Sequence, residues 1–263
     1  MAGSGWASGA YRPPVGGWQA SSYGDGWAVA YDDFTAWRFP PGAEDAAADT
    51  LAALAGTGPV LELGIGTGRV ALPLAGRGVE VHGIDASEAM VARLREKPGG
   101  DRIPVTIGDF AEVGVDAGIE FSLVFVAFNT IFALLTQEEQ VRCFANVATR
   151  LAAGGVFVVE AFVPDLTRFD GGQRVGVERI EPDAVYLDLS RHEPASQRVT
   201  AQQVVLSEGK VRLRPIELRY AWPSELDLMA RLAGLRLRDR WGGWQKETFG
   251  TGSPSHVSVY EKE

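Results

Sequence analysis

The spacing of apolar residues divides the chain into three parts. Between residues 44 and 163, short apolar runs ending in glycine or an acid alternate with longer Ala- and Leu-rich stretches, and this pattern returns over 222–263. Such alternation predicts βαβ units and a parallel sheet. Residues 174–221 instead alternate with period two between turn signals, which predicts antiparallel strands. We therefore expect an N-terminal arm (1–43), a divided core and an inserted β-rich lid at 164–221.

Local signals indicate where individual elements begin and end. Ser87 and Ser224 are expected to cap helices, and Thr136 with Glu139 matches a capping box. Short apolar runs that end at turn residues indicate the strands. Core strands are predicted at 59–63, 79–84, 105–107, 121–128, 156–159, 235–238 and 256–260.

The N-terminal arm combines small residues with large aromatic ones. Residues 1–26 are rich in glycine, serine and proline, yet the first 37 residues hold four of the seven tryptophans. The other three are Trp222, Trp241 and Trp244. Because large aromatic side chains are unusual in a free tail, we expect the arm to pack on a C-terminal surface.

Composition and charge exclude several classes of protein. The 263 residues are 46% hydrophobic and 22% charged, with a net charge of −9, which argues against nucleic acid or an anionic membrane as the main partner. The single cysteine, Cys143, permits no intrachain disulfide or Cys-rich zinc site, and no metal is expected. The sequence has neither a membrane-length apolar run nor a signal-peptide pattern. We expect a cytoplasmic protein and leave a homodimer open.

A glycine-rich segment after the first core strand carries the strongest chemical signal. Glu62 precedes Gly64, Gly66 and Gly68 in a G-x-G-x-G spacing, unlike the G-x-G-x-x-G of dehydrogenases. Glycines let a ligand approach the backbone, and the helix beginning near Arg69 favours a negative group. A carboxylate beside the loop would instead favour a cationic group.

Two more acids follow the next strand ends. Asp85 lies about 20 residues beyond the loop, where a carboxylate can bind both ribose hydroxyls. Asp109 and Phe110 end the third strand and suit an adenine, because the acid accepts from the exocyclic amine and the ring stacks. Three acidic loops without a P-loop lysine predict a positively charged nucleoside. A Rossmann-like domain that binds NAD is the alternative.

These residues resemble the class I S-adenosylmethionine-dependent methyltransferases. Segment 62–68 is similar to their first motif, Asp85 to their ribose acid, 108–110 to their adenine loop and 151–157 to their helix–GG–strand signature. The resemblance implies an α/β fold, a Rossmann-like, mostly parallel seven-stranded sheet with helices on both faces and an antiparallel last hairpin. It implies S-adenosyl-L-methionine as cofactor, held by Glu62, Gly64, Gly66, Gly68, Arg69, Asp85, Ala86, Met90, Asp109, Phe110 and Phe128.

A narrower resemblance concerns the methyl acceptor. Segment 128–132, the lid and the arm tyrosines Tyr23 and Tyr31 resemble amino-sugar, peptide and natural-product N-methyltransferases of antibiotic pathways. An amine also suits the residues present: the sulfonium already activates the methyl group, and a neutral amine needs mainly alignment, whereas a hydroxyl needs a base or a metal. With three histidines and no metal motif, we expect a small-molecule or peptide amine as acceptor.

Each candidate residue has a functional and a structural interpretation. Asn129 follows the fourth strand beside the expected methyl position or forms a turn, and His192 is a lid base or part of a turn. Tyr23 or Tyr31 would close over the sulfonium. Glu160 would attract an ammonium group or pair with an arginine. Trp241 and Trp244 would form an aromatic acceptor wall or pack in the core.

Two other functions remain open from the sequence. An O-methyltransferase would use a His or Tyr base on a hydroxyl. A non-catalytic protein would bind S-adenosylmethionine or S-adenosylhomocysteine without transferring a methyl group.

Overall fold

Two β-sheets and seven α-helices form the part of the chain that this computed structural model describes, residues 17–39, 42–115 and 118–262. The helices are α1 (Ser22–Trp27), α2 (Tyr31–Arg38), α3 (Ala43–Ala55), α4 (Ala71–Gly76), α5 (Glu88–Arg95), α6 (Gln137–Arg150) and α7 (Pro223–Leu232). The strands are β1 (Val60–Leu63), β2 (Val81–Asp85), β3 (Val105–Ile107), β4 (Phe121–Val126), β5 (Leu151–Phe162), β6 (Gln173–Ile180), β7 (Ala184–Glu193), β8 (Arg198–Ser207), β9 (Lys210–Arg219), β10 (Leu235–Trp241) and β11 (Ser255–Lys262).

The core sheet has seven strands in the order β10-β11-β5-β4-β1-β2-β3. The strands from β5 to β3 are parallel, and β11 runs antiparallel to both β5 and β10. Successive residues of β1 enter opposite apolar layers: Leu61 packs with the layer of α6 and α7, and Val60 with that of α3 and α4. A sheet covered on both faces explains the almost wholly apolar strands. The predicted fold is confirmed.

Helix caps agree with the sequence at two positions and differ at a third. Thr136 and Glu139 exchange hydrogen bonds in a capping box, and Ser87 accepts from the Met90 amide. The prediction for Ser224 is wrong, because Ser224 lies within α7, which begins at Pro223 and has Trp222 at the N-cap position. Proline suits the first helical position, because the N–H that it lacks would have no partner within the helix.

The second sheet, which we call the lid sheet, consists of β6, β7, β8 and β9 in that order, all antiparallel. It lies within the expected insertion, and one of its faces looks onto a large cavity lined also by residues 162–169 after β5. None of the helices formed by the described residues is long and apolar enough to cross a membrane.

The arm packs on α5 and the lid sheet. Trp27 is buried against Met90 and Ile216, and the Ser87 hydroxyl donates to Asp25 at 2.6 Å. Gly24 permits this approach, since a Cβ there would lie 2.4 Å from the Ser87 Cβ. The expectation that the arm packs on a C-terminal surface with Trp241 and Trp244 is therefore wrong. The arm packs on α5 and the lid sheet, while Trp241 and Trp244 pack with the apolar layer of α3 and α4.

Candidate active site

The glycine-rich loop joins β1 to α4 at the carboxyl end of the core sheet. Gly64 and Gly66 adopt φ angles of +70° and +55°, which favour glycine. A Cβ on Gly64 would lie 2.5 Å from Thr130 Cγ2. Gly68 has another role, because a Cβ there would lie 2.4 Å from a side-chain carbon of Leu94 in α5. The loop is thus both open to a ligand and tightly packed behind.

Asp85 ends β2 and holds the loop in place. One carboxylate oxygen accepts from the Gly66 amide at 2.7 Å, and the other accepts from the Ser87 amide at 2.8 Å. Burial raises the pKa of Asp85, and the two amide hydrogen bonds act in the opposite direction. Each oxygen keeps acceptor capacity for a further donor, as a ribose diol would supply.

A cavity of about 150 Å³ lies directly above this loop. Asp109 borders it, with one carboxylate oxygen accepting from the Ala111 amide at 2.8 Å. The structure thereby brings together most of the predicted cofactor residues with both arm tyrosines. The predicted residues that line this cavity are Gly64, Gly66, Asp85, Ala86, Met90, Asp109, Phe110, Tyr23 and Tyr31.

Glu62 and Arg69 interact electrostatically beside the loop. Glu62 is buried, and its Oε2 has no hydrogen-bond partner among the described residues. Burial raises the pKa of its carboxyl well above the usual value, while the Arg69 guanidinium lowers it. Arg69 lies 4.4 Å from the Phe39 ring centroid and 3.4 Å from a Glu44 oxygen. Neither Glu62 nor Arg69 borders the small cavity, but a buried acid with an open oxygen fits a cationic ligand.

A second cavity of about 940 Å³ lies between the core sheet and the lid sheet. One side is aromatic and the other, formed by the lid sheet, carries polar groups including Glu178, Asp188 and Gln203. The aromatic side comprises Tyr23, Trp27, Tyr31, Phe34, Phe128 and Phe162. Phe128, predicted to bind the cofactor, therefore faces the larger cavity.

Four residues border both cavities: Tyr23, Tyr31, Thr130 and Ala133. Burial raises the pKa of both tyrosine hydroxyls, so both phenols are protonated at neutral pH. Tyr23 stacks on Trp27 with ring centroids 5.6 Å apart. A ligand filling the small cavity and one filling the large cavity would meet at these four residues.

Asn129 and Glu160 shape the turn that follows β4. Asn129 has a φ of +65° and accepts the Phe162 amide through its side-chain oxygen at 2.6 Å. Glu160 accepts the Phe128 amide at 2.7 Å. Asn129 lines the large cavity, whereas Glu160 is not among the described residues that line either cavity. The geometry gives both residues a structural role, and Asn129 a position beside the acceptor space.

His192 lies behind the wall of the large cavity. Its Nε2 is 2.8 Å from the Tyr220 hydroxyl, and its ring stacks on Phe169 at 4.9 Å. Tyr220 and Phe169 line the cavity, whereas His192 is buried behind them. Any action of His192 on a ligand would therefore pass through Tyr220.

Trp241 and Trp244 lie apart from the predicted acceptor site. Both pack against the apolar layer of α3 and α4, and the Trp244 carbonyl accepts from the Thr50 hydroxyl at 2.9 Å. Neither is among the described residues that line the two cavities. The structure thus gives them the core-packing role and not the acceptor wall.

Several cavity residues escaped sequence reasoning. Thr130 belongs to the segment after β4 that was singled out, but no residue type marked it as shared by two cavities. Glu178 and Asp188 lie on period-two strands, and alternation shows which residues share a face without showing which face is inside. Trp27 and Phe34 were visible only as part of an aromatic arm.

Carboxylates at successive strand ends, a glycine turn and an antiparallel last hairpin define a nucleoside-binding α/β enzyme with a second cavity for another reactant. A family model described as a methyltransferase domain matches residues 60–155. The solved CcbJ methyltransferase from Streptomyces caelestis is 44% identical, with a TM-score of 0.88, covering 93% of this chain and 99% of its own. The chain belongs to the S-adenosylmethionine-dependent methyltransferases, and S-adenosyl-L-methionine is its cofactor.

Two further proteins are similar to this chain at lower identity. The cypemycin N-terminal methyltransferase of a Streptomyces species is 27% identical over 207 residues, which are 78% of this chain and 83% of that protein. An amino pentose methyltransferase from Micromonospora echinaspora, solved with S-adenosylmethionine bound, is 24% identical with a TM-score of 0.66. That match covers 89% of this chain and 96% of the other.

Proposed function

We propose that this methyltransferase acts on an amine of a small molecule or peptide in secondary metabolism. The main support for this proposal is that the two cavities meet at Tyr23, Tyr31, Thr130 and Ala133. A methyl donor in the small cavity and an acceptor in the large one would meet there. The relative that modifies the N-terminus of cypemycin supports an amine acceptor.

The residues present suit transfer by alignment and exclusion of water. The cofactor supplies a methyl group already activated on a sulfonium. Asp85 would hold the ribose, Asp109 and Phe110 the adenine, and Glu62 the cationic amino-acid end. Tyr23 and Tyr31 would present ring faces to the sulfonium and, as neutral phenols, hydrogen bonds to the acceptor.

These contacts support a separate role for each part of the chain. Residues 44–163 and 222–263 would bind the cofactor, and 164–221 would form the acceptor wall. In the arm (1–43), the described residues 17–39 would close over both ligands. The arm is joined to the lid sheet by Arg38, whose guanidinium lies 3.4 Å from Glu178. We also propose that the enzyme acts in the cytoplasm.

One contact favours a second candidate, methylation of a hydroxyl. The Tyr220 hydroxyl, in the wall of the large cavity, is hydrogen-bonded to His192 Nε2 at 2.8 Å. Such a pair could take a proton from an acceptor hydroxyl, which an amine acceptor would not need.

A matched pair of acceptor panels separates these candidates. The purified chain would be incubated with methyl-labelled S-adenosylmethionine and amines, or with the same scaffolds carrying a hydroxyl in place of the amine. We expect the label on the amines. In His192→Gln, the rate of methyl transfer should fall by no more than the affinity for the cofactor falls. Label on the hydroxyls, lost in His192→Gln and in Tyr220→Phe, would favour O-methylation. Intact S-adenosylhomocysteine binding without transfer in either panel would favour a non-catalytic binder.

A further inference from the structure

The wall of the large cavity carries two arginines whose guanidinium groups are weakly paired. Arg38 ends α2, and Arg168 lies in the turn after β5. Both line the cavity, with side chains that are 43% and 46% exposed. Arg38 Nη1 lies 3.4 Å from a Glu178 oxygen, and Arg168 Nη2 lies 3.7 Å from an Asp188 oxygen, which is too long for a hydrogen bond. Toward the residues that the structure describes, the Arg168 guanidinium therefore donates no hydrogen bond.

The acids that line the same cavity already have other hydrogen-bond partners. Each of the four carboxylates accepts from a residue other than these two arginines. The pairs are Asp188 with Arg174, Glu178 with Gln203 at 2.9 Å, Glu217 with Arg198, and Asp165 with Thr167 at 2.6 Å. The carboxylates thus do not need Arg38 or Arg168 as donors, and guanidinium groups with open N–H groups favour an anionic oxygen acceptor.

The charge of Arg168 is poorly compensated by its surroundings. Burial, followed by the nearby Arg174, lowers the pKa of Arg168. Asp188 and Asp165 act in the opposite direction without restoring the usual value. Arg38 also lowers this pKa, so the two cavity arginines lie close enough to repel each other. An anion bound between them would relieve this repulsion.

Helix α2 sets the distance between Arg38 and the junction of the two cavities. Tyr31, Phe34 and Arg38 lie at positions i, i+3 and i+7 of this helix, and all three line the large cavity. Tyr31 also borders the small cavity. Because an α-helix rises about 1.5 Å per residue, Arg38 lies about 10 Å along the axis from Tyr31. An acceptor whose amine is at the junction could therefore pass the Phe34 ring and reach Arg38 with its other end.

We propose that Arg38 and Arg168 bind a carboxylate of the methyl acceptor, about 10 Å from the amine that receives the methyl group. This inference rests on the proposed amine acceptor and adds a second functional group to it. A planar guanidinium group can hold a carboxylate through two parallel hydrogen bonds. An extended tripeptide with free ends has the required separation, because each residue spans about 3.3–3.6 Å.

Isothermal titration calorimetry on the full chain saturated with S-adenosylhomocysteine tests this subsite without any methyl transfer. The probes are the tripeptide glycyl-phenylalanyl-glycine and the same peptide with a C-terminal amide, which lacks the negative charge. We expect wild type to bind the free acid at least about tenfold more tightly than the amide, as for a hydrogen bond between charged groups. Arg168→Gln should remove this preference and leave the affinity for the amide unchanged, whereas Arg168→Lys should keep part of the preference.

Arg142→Gln is the matched control, because it makes the same change of charge on a side chain of similar exposure. Arg142 is 44% exposed on α6 and pairs with Glu112, and it is not among the described residues that line either cavity. This variant should keep the full preference for the free acid. Retained S-adenosylhomocysteine binding would show that each variant folds.

Three outcomes would overturn the subsite. They are equal affinity for the two peptides, binding of neither peptide, and a preference for the free acid that survives in both Arg168→Gln and Arg38→Gln. The proposed function is tested separately by replacing S-adenosylhomocysteine with methyl-labelled S-adenosylmethionine. A preference for the free acid without label on either peptide would support the subsite and contradict amine methylation. Label on both peptides with equal affinity would contradict the subsite and support the proposed function.

Discussion

Asp85 is the residue whose contribution to cofactor binding can be worked out most directly. Its carboxylate oxygens accept the Gly66 and Ser87 amides at 2.7 and 2.8 Å, and their remaining lone pairs face the small cavity. Asp85→Asn keeps the shape but removes the charge and turns one acceptor into a donor opposite a backbone N–H. A hydrogen bond to a charged group contributes about 1.5–3 kcal/mol. We therefore expect S-adenosylhomocysteine to bind about 10- to 150-fold more weakly.

Isothermal titration calorimetry with S-adenosylhomocysteine measures this loss directly. Glu88→Gln is the matched control, because this carboxylate is exposed in the first turn of α5 and does not border the small cavity. Its affinity should equal that of wild type. An Asp85→Asn affinity within twofold of wild type would remove the carboxylate from the cofactor site and refute the reasoning.

Three further predictions concern the turn, the arm and pH. Asn129→Ala should lower turnover more than cofactor affinity, because it removes the acceptor of the Phe162 amide beside the large cavity; a larger loss of affinity than of turnover would contradict this. Asp32→Asn should loosen the arm, because Asp32 accepts a hydrogen bond from Lys97 Nζ at 2.8 Å. The rate of amide hydrogen exchange in α2 should rise at least tenfold while the rate in α6 stays the same; an unchanged rate in α2 would contradict this prediction. Burial lowers the pKa of His256 from 6.5 to about 4, so the unfolded chain binds a proton that the folded protein resists. Stability should fall as pH drops from about 6.5 towards 4, by up to about 1.4 kcal/mol per pH unit, and chemical denaturation of His256→Gln should lack this part of the slope.

The core could be predicted from sequence because its signals are local. A buried strand, a glycine turn and an acid at a strand end can each be recognised from a few neighbouring residues, as at Glu62–Gly68 and Asp85. The parallel sheet then brings these strand ends to one edge whatever the loops do. The confirmed fold and cofactor rest on such marks.

The acceptor side could not be predicted because it depends on long-range packing. Alternation along β7 predicts that Asp188 and His192 share one face, but Asp188 borders the cavity while Phe169 and Tyr220 separate His192 from it. Trp241 and Trp244 carry the same aromatic signal as the arm residues, yet they pack with the apolar layer of α3 and α4 and are not among the described residues that line the two cavities. Which side chains reach a cavity between two sheets is decided by how the sheets are placed together.

The position of the cofactor's sulfur atom tests the central claim most directly. A crystal structure with S-adenosylhomocysteine bound should place its thioether sulfur at the junction of the two cavities, in contact with Tyr23, Tyr31, Thr130 or Ala133, and its ribose on Asp85. A sulfur atom that none of these four residues contacts, or that is sealed from the large cavity, would contradict transfer across this junction.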